Sequence, residues 1–381
     1  MDFVLHEEIR ELLRKKSDYC VSLYLPTHRT GRETLQDPIR LDNLLRGAEK
    51  QLVAAGQRST EARELLGPAR ALLNETFFTR RMAEGLSIFI SPGFFRYFTL
   101  PLNFNESLHI GRQFQLKPLI PLLHCCKRFF VLALSQKSLR LIECTEFSAN
   151  EIELEGVPRT TREALGDDEE TIPLFRMSSQ ASNPGASSMV HGHGGAAESE
   201  KERIRRWFKV LRDSLHPFFR HETVPLVFAG VEYLFPLFRQ VEVYKNTLDE
   251  FMEGNPEEVD PSELQRKSLP LVSPYFNKDK ELAIHRWLAL SGGPLASDKI
   301  GDILPGAAEG RVDTLFIDAG ARQWGRYDPK SGSVEIHSER RTGDEDLLDL
   351  AFSHAYLNGG NVYGLDSPEL PGKNGAAIFR Y

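Results

Sequence analysis

Residues 128–156, RFFVLALSQKSLRLIECTEFSANEIELEG, contain three short apolar segments that are separated by polar turns. RFFVLALS and SLRLIECT are typical of two β-strands that meet at a short turn at Gln136 and Lys137. EIELEG is typical of a third strand. VPLVFAG, further along the chain, is an apolar run of the kind that forms a buried strand. Strands followed by alternating helices and strands predict a mixed sheet with helices on its faces.

Between these strands lies a long polar stretch, residues 159–199, with too few apolar side chains to order itself firmly. A strongly patterned helix follows. Its apolar side chains recur at helical spacing and form one stripe, consisting of Ile204, Trp207, Phe208, Leu211 and Leu215. Trp207 and Phe208 are interpreted as core anchors and not as a platform for stacking bases.

The flanking regions follow different patterns. CVSLYLP at 20–26 is typical of a strand, residues 41–54 have helical spacing, and a hairpin is expected around Ser91, Pro92 and Gly93. We therefore predict α+β structure for the first region. Beyond an acidic connector at 252–264, a helix over 278–290 and alternating strands predict an α/β region.

The predicted fold class is therefore mixed, α/β and α+β, with three domains. Their expected bounds are 1–123, 124–255 and 262–381, and the second carries a glycine loop at 181–198.

Composition limits the classes of function. The 381 residues carry a formal net charge of −7, which argues against a protein that coats nucleic acid without specificity. No apolar run is long enough to cross a membrane, and the N-terminus lacks the pattern of a signal peptide. The cysteines lie in apolar, strand-like contexts without metal-ligand spacing, namely Cys20, Cys125, Cys126 and Cys144. They are expected to be buried reduced thiols, so we predict a cytoplasmic protein.

Four stretches together resemble a known family over essentially the whole chain. They are VSLYLP with the helix RLDNLLRGAEKQL, GLSIFISPGFFRYFTLP with FQLKPLIPLL, HGHGGAAESEKERIRRWFKVL, and LNGGNVYGLD with GKNGAAIFRY. In this order they resemble the archaeo-eukaryotic peptide-chain release factors and Pelota. The likeness is greatest to the bacterial archaeo-eukaryotic release-factor-like proteins.

This resemblance implies an N-terminal release-factor-like domain, an RNase-H-like middle domain and a C-terminal domain like kink-turn-binding ribosomal proteins. It also implies a protein that enters the ribosomal A site as a mimic of tRNA. The loop that would reach the peptidyl-transferase centre contains Gly192, Gly194, Gly195 and Ala196. The implied partners are the ribosome and ribosomal RNA, with a translational GTPase as a further candidate.

Two family motifs are missing here. The family has a glutamine after its glycine pair, and Ala196 stands at that position, so the amide that helps to place a water molecule is absent. The Asn-Ile-Lys-Ser-type motif of stop-codon readers has no counterpart near Asp37-Pro38-Ile39-Arg40. Asp37 and Pro38 are instead expected to cap and begin a helix. Ordinary stop-codon reading and peptide release by the family mechanism are therefore not expected.

Two sets of candidate site residues keep two interpretations each. His191 and His193 could serve as a general base or metal ligand, or lie exposed in a loop. Neither a metal nor a cofactor is predicted. Four basic side chains at the start of the helix could contact RNA phosphates or form a plain solvated face; these are Lys201, Arg203, Arg205 and Arg206.

The leading hypothesis is a ribosome-associated, tRNA-mimicking translation factor that acts in rescue, hibernation or quality control. One alternative is a peptidyl-tRNA hydrolase or nuclease that uses the loop histidines. A second alternative is a stress-related adaptor that binds proteins and has lost the ribosome.

Overall fold

The computed structural model describes residues 2–28, 31–73, 78, 83–123, 127–166, 193–365 and 369–381. Within these ranges, only the backbone is described for residues 2–5 and 193–199. The chain divides into two compact units. The first contains Met1–Cys125 and Asp279–Tyr381, and the second contains Cys126–Lys278.

The N-terminal part of the first unit is an antiparallel sheet covered by helices. Its elements are α1 (Asp2–Arg14), β1 (Lys16–Pro26), α2 (Asp37–Ala54), α3 (Ser59–Arg70), β2 (Gly85–Ser91), β3 (Phe94–Leu100) and β4 (Ser107–Gln113). The strand order is β3-β2-β1-β4. The predicted strand at 20–26 and the hairpin around residues 91–93 are both confirmed.

Both faces of β1 are buried. Val21, Leu23 and Leu25 pack against α2 and α3, while Cys20 and Tyr24 point into a separate cluster on the other face. Successive side chains of a strand point to opposite faces, so a strand covered on both sides needs a continuous apolar run.

The second unit has a five-stranded mixed sheet. Its elements are β5 (Phe129–Leu134), β6 (Leu139–Cys144), β7 (Ala149–Ile152), α4 (Thr161–Leu165), α5 (His193–Phe219), β8 (Leu226–Gly230), α6 (Leu234–Val241) and β9 (Met252–Glu253). The strand order is β7-β6-β5-β8-β9, with β5–β6 and β6–β7 antiparallel and β5–β8 and β8–β9 parallel. This is the strand order of the RNase-H-like fold, and the mixed fold class is confirmed.

Strand β5 is the central strand of this sheet, and both of its faces are covered. Phe130, Leu132 and Leu134 lie in the cluster formed with α5 and α6. Phe129, Val131 and Ala133 lie in the cluster on the opposite face, which also contains Leu264 and Val272 of the next helix. The sheet is thus covered on both sides, as the apolar sequence requires.

The remaining elements follow β9 along the chain. They are α7 (Pro261–Leu290), β10 (Ala296–Ser297), α8 (Ile300–Ala308), β11 (Val312–Ile317), β12 (Trp324–Asp328), β13 (Ser333–His337), β14 (Glu345–Asp346), α9 (Leu347–Leu357), β15 (Asn361–Gly364) and β16 (Gly375–Phe379). One sheet has the order β10-β16-β11-β15, and a smaller one has the order β13-β12-β14.

The N-terminal and C-terminal parts of the first unit share one hydrophobic core. It brings Ile9 and Phe89 together with Leu304 and Phe352. Because these residues pack in one cluster, sequence regions that were predicted as separate domains form a single compact unit. The division of the chain into three domains stays a prediction.

Two predicted boundaries differ from the structure. Helix α7 begins at Pro261 and passes through Pro270 and Pro274, so it contains the predicted helix over 278–290 and part of the predicted connector. Asp260 fixes this start, because its Oδ1 accepts a hydrogen bond from Ser262 N at 2.8 Å. In the part of the chain that the structure describes, no helix has the length and apolar character that crossing a membrane requires.

Candidate functional site

Helix α5 buries the apolar stripe that its sequence predicts. The five stripe residues are each at most 1% exposed and pack in the same cluster as Phe130 of β5 and Phe228 of β8. Trp207 and Phe208 are wholly enclosed, which confirms them as core anchors. Neither ring has a free face on which a nucleobase could stack.

The rest of α5 carries six cations, namely Lys201, Arg203, Arg205, Arg206, Lys209 and Arg212. Arg205 is half-buried and the other five are exposed. Two of the guanidinium groups pair with acids of the same helix, Arg205 with Glu202 at 3.2 Å and Arg212 with Asp213 at 2.9 Å. Part of the positive charge is therefore neutralised within the helix itself.

Three of these cations have no acidic partner in the part of the chain that the structure describes. Among the described residues, no carboxylate forms an ion pair with Lys201, Arg203 or Lys209. An exposed cation without an acid partner can approach a phosphate without first breaking an ion pair. This geometry favours phosphate contact over a fully self-neutralised polar face.

The start of α5 is held against the second unit by polar contacts. Gln136, in the turn between β5 and β6, donates from Nε2 to Glu200 Oε1 and to the hydroxyl of Tyr233, each at 3.1 Å. Thr161 N, at the start of α4, donates to the carbonyl of Gln136 at 3.4 Å. The basic turn that follows Glu200 therefore has a defined position beside the end of the sheet.

The glycine loop falls only partly within the described residues. Residues 167–192, which include His191 and Gly192, lie outside them. Helix α5 already begins at His193, so Gly194, Gly195 and Ala196 belong to its first turn and not to a loop ending at 198. The run AAESEKER explains the earlier start, because alanine, glutamate, lysine and arginine are strong helix formers.

Asp37 does not cap α2 as expected. It is the first residue of the helix, and the preceding residue, Gln36, makes no side-chain capping bond. The buried Asp37 carboxylate instead accepts hydrogen bonds from His28 N at 2.8 Å and forms a 2.9 Å contact with His28 Nδ1. The carboxylate is thus engaged by His28, with Arg40 Nη1 of the same helix 3.7 Å from its Oδ1.

A buried charge cluster in the first unit was not predicted from the sequence. Lys117 is fully buried, and its Nζ lies 2.8 Å from Asp346 Oδ2. Asp349 Oδ1 accepts hydrogen bonds from the backbone N–H groups of Leu116 and Lys117, both at 2.9 Å. Burial, and next the neighbouring Asp346 carboxylate, raise the pKa of Asp349 to about 7. The cluster joins the segment after β4 to the start of α9.

Two of the four cysteines lie within the described residues, and both are buried. Burial raises the pKa of the Cys20 thiol to about 11 and that of Cys144 to about 12. Both are therefore protonated, unreactive thiols at neutral pH, as expected. Cys125 and Cys126 lie outside the described residues.

A cavity of about 560 Å³ in the first unit opens beside the start of α8. Two of the four charged side chains in its lining are already engaged, because Asp302 accepts a hydrogen bond from Ser297 at 2.8 Å and Arg311 pairs with Glu309 at 2.7 Å. Within the described ranges, no three histidine, cysteine or acidic side chains are grouped to hold a metal ion. The exposed cations of α5 thus remain the candidate site.

A known family model matches most of the second unit and the start of the C-terminal part of the first. Residues 128–311 match the family model described as Bacterial archaeo-eukaryotic release factor family 3. This segment is similar to the release-factor-like family. The match spans just under half of the chain and contains strand β5, helix α5 and its cations. No curated protein matches the sequence.

Solved structures with similar folds include three release-factor relatives. The archaeal translation termination factor aRF1 is 13% identical, with a TM-score of 0.25, and the match covers 100% of this chain and 98% of aRF1. A model of ribosome-bound archaeal Pelota and ABCE1 is 10% identical, with a TM-score of 0.35 and coverage of 99% and 94%. Dom34 of S. cerevisiae is 11% identical, with a TM-score of 0.32 and coverage of 81% and 77%.

Proposed function

We propose that this chain binds the ribosome in the manner of a tRNA and acts in ribosome rescue, hibernation or quality control. The observation that carries the proposal is the set of three exposed cations of α5, Lys201, Arg203 and Lys209, that form no ion pair among the described residues and lie inside the segment matching the release-factor family model. In this proposal Lys201, Arg203 and Lys209 contact phosphates of ribosomal RNA. Arg205 and Arg206 flank the same surface, and a translational GTPase is a further proposed partner.

The geometry suits a phosphate-binding role. Helix α5, the stem that follows the glycine loop, is held rigidly. One of its sides is buried in the core, and Gln136 fixes Glu200 near its start. Cations on a rigid element lose less conformational entropy on binding than cations on a free loop. The residues before the stem, which include Gly192, would then be delivered by α5 towards the peptidyl-transferase centre.

The basic surface leads to a first prediction, on salt dependence. The double variant Lys201→Ser/Arg203→Ser is expected to bind purified ribosomes more weakly than the wild type. It is also expected to lower the slope of log affinity against log salt by about 1.4 to 1.8, because each lost phosphate contact removes about 0.7 to 0.9. Sedimentation with ribosomes over a series of salt concentrations measures both quantities.

The matched control for this prediction removes two paired cations from the same unit. Arg212→Ser/Lys267→Ser changes the net charge equally, but Arg212 and Lys267 are already bound to Asp213 and Glu263. The control should keep the wild-type slope. Equal slopes for the two double variants would contradict the proposal. Binding to proteins with no salt-dependent RNA binding would favour an adaptor.

A second prediction concerns peptide release. The wild-type chain is expected not to release the nascent peptide from ribosomes that carry peptidyl-tRNA at a stop codon. The reason is that the methyl group of Ala196 cannot hydrogen-bond a water molecule at the ester. Release of a labelled peptide, compared with that by a conventional release factor, measures this. Release that disappears in His191→Ala or His193→Ala would instead support the hydrolase alternative.

A further inference from the structure

Two arginines of the first unit lie against one tryptophan. They are far along the chain from the cations of α5, which belong to the second unit. Trp324 begins β12, the central strand of the three-stranded sheet. The guanidinium carbon of Arg340 lies 4.8 Å from the centroid of the Trp324 ring, and that of Arg322 lies 6.0 Å away. Both distances are within the range of a cation–π contact.

These arginines have no acidic partner among the residues that the structure describes. In the described ranges, no carboxylate forms an ion pair with the side chain of Arg322, Arg340 or the neighbouring Arg341, and all three are exposed. Arg340 Nη2 donates to the carbonyl of Ile110 at 3.0 Å, which leaves its other N–H groups for a ligand. Two like charges held beside one ring repel each other, and an anion would relieve that repulsion.

The acids of this region are mostly engaged elsewhere. The buried Asp344 accepts hydrogen bonds from Arg341 N and contacts His337 Nδ1, both at 2.8 Å. Asp328 accepts hydrogen bonds from Lys330 N and the Ser331 hydroxyl. Glu335 and Glu339 are exposed, and neither forms an ion pair with the arginines in the described part. In the described part of the chain, Arg322, Arg340 and Arg341 therefore keep their positive charge without an ion-pair partner.

A buried histidine nearby supports this description of the charge. The pKa of His109, on β4, is lowered to about 4, first by burial and next by the positive charge of Arg340. Arg322 and Lys117 act in the same direction, while Asp346 opposes them. The cations thus outweigh the acids around His109.

We propose that Arg322, Trp324, Arg340 and Arg341 form a second RNA-binding site, which contacts backbone phosphates. A planar guanidinium binds a phosphate through two parallel hydrogen bonds, and contact with an aromatic ring restricts its orientation beforehand. Trp324 is only half-buried, so part of its ring is accessible to a nucleotide base. The choice of RNA over an acidic peptide rests on this ring and on the proposed ribosome function.

The test measures binding of the full chain to fluorescein-labelled oligouridine by anisotropy over a series of KCl concentrations. The variant Arg322→Ser/Arg340→Ser should bind roughly ten-fold more weakly and lower the salt slope by about 1.4, because two single-strand phosphate contacts are lost. The lysine variant Arg322→Lys/Arg340→Lys should keep most of the slope but bind less tightly. The control is Arg46→Ser/Arg286→Ser, whose guanidiniums pair with Asp42 and Asp313, each at 2.6 Å.

Arg322→Ser alone guards against misfolding, since among the described residues Arg322 makes no hydrogen bond that the substitution would remove. It should lower the slope by about 0.7. A slope equal to that of the control overturns the site. The site is also overturned if polyglutamate competes with RNA and binds the same variants more weakly. That result would assign the surface to acidic peptides.

The same measurement on Lys201→Ser/Arg203→Ser separates the two proposals. If only the Arg322/Arg340 variant loses slope, the second site stands and the role of α5 fails. If only the α5 variant loses slope, the second site fails and the proposed function stands. RNA binding through the Trp324 surface without ribosome binding would leave this site and overturn the proposed function.

Discussion

Lys117→Met is expected to lower the free energy of unfolding of the first unit by about 3–5 kcal/mol. Lys117 is fully buried and forms a 2.8 Å ion pair with Asp346. Removing the ammonium leaves Asp346 as a buried charge without its cation, beside the second buried carboxyl of Asp349. The penalty is large because a charge in a low-dielectric interior depends on its partner for most of its stabilisation.

The measurement is urea unfolding of the full chain, followed by tryptophan fluorescence and circular dichroism. Trp287 and Trp324 report on the first unit, whereas Trp207 belongs to the second. The control Lys50→Met removes an exposed lysine of α2 and should change the stability by less than about 0.5 kcal/mol.

A double variant tests the cause of the loss. Asp346→Asn removes the charge but keeps an oxygen that can accept the capping hydrogen bond from Leu348 N. Lys117→Met/Asp346→Asn should therefore be more stable than Lys117→Met alone by about 2 kcal/mol, since no unpaired charge is left. A single variant as stable as the wild type, or a double variant less stable than the single one, would show that the ion pair does not stabilise the unit.

The parts of the fold that the sequence predicts are those fixed by local pattern. Strand β5 is apolar at every position because the sheet is covered on both faces, and the stripe from Ile204 to Leu215 fixes the orientation of α5. Both patterns need only neighbouring residues and the period of the element. The exposed cations of α5 follow from the same pattern, because they occupy the rest of the helix.

The parts that the sequence did not predict depend on contacts between distant residues. Lys117 lies in an apolar segment, and its burial makes sense only with Asp346 and Asp349, which come much later in the chain. Arg340 reaches Trp324 because β12 and β13 pair and the chain returns beside them. No local periodicity encodes such pairs. In α7, Pro270 and Pro274 conceal a continuous helix, since proline usually ends the pattern.

The largest pH effect is expected from Asp349. Its pKa in the folded protein is about 7, above the ordinary value of 3.8, so the folded state keeps a proton that the unfolded state has released. The free energy of unfolding therefore falls as the pH rises from about 4 to about 7, by at most roughly 4 kcal/mol from this group. A protonated Asp349 leaves Lys117 and Asp346 as a neutral pair, which is why burial favours the proton.

Asp349→Asn should remove this dependence and keep the local hydrogen bonds. The amide oxygen can still accept from the N–H groups of Leu116 and Lys117, but the side chain no longer titrates. His109 acts in the opposite sense, because its folded pKa of about 4 lies below its ordinary 6.5 and makes the protein more stable as the pH rises between these values. The informative quantity is therefore the stability of Asp349→Asn minus that of the wild type, measured by urea unfolding at each pH.

This difference should increase steadily from about pH 4 to about pH 7 and then level off, because only the wild type has a buried carboxyl to ionise. Asp328→Asn is the control, since the exposed Asp328 has a pKa lowered by the Ser331 hydroxyl and the Lys330 N–H, and it titrates below this range. Its difference from the wild type should be flat between pH 4 and pH 7. A flat difference for Asp349→Asn as well would mean that Asp349 is already ionised in the folded protein. Lys117 would then balance two carboxylates, and the loss expected for Lys117→Met would be correspondingly greater.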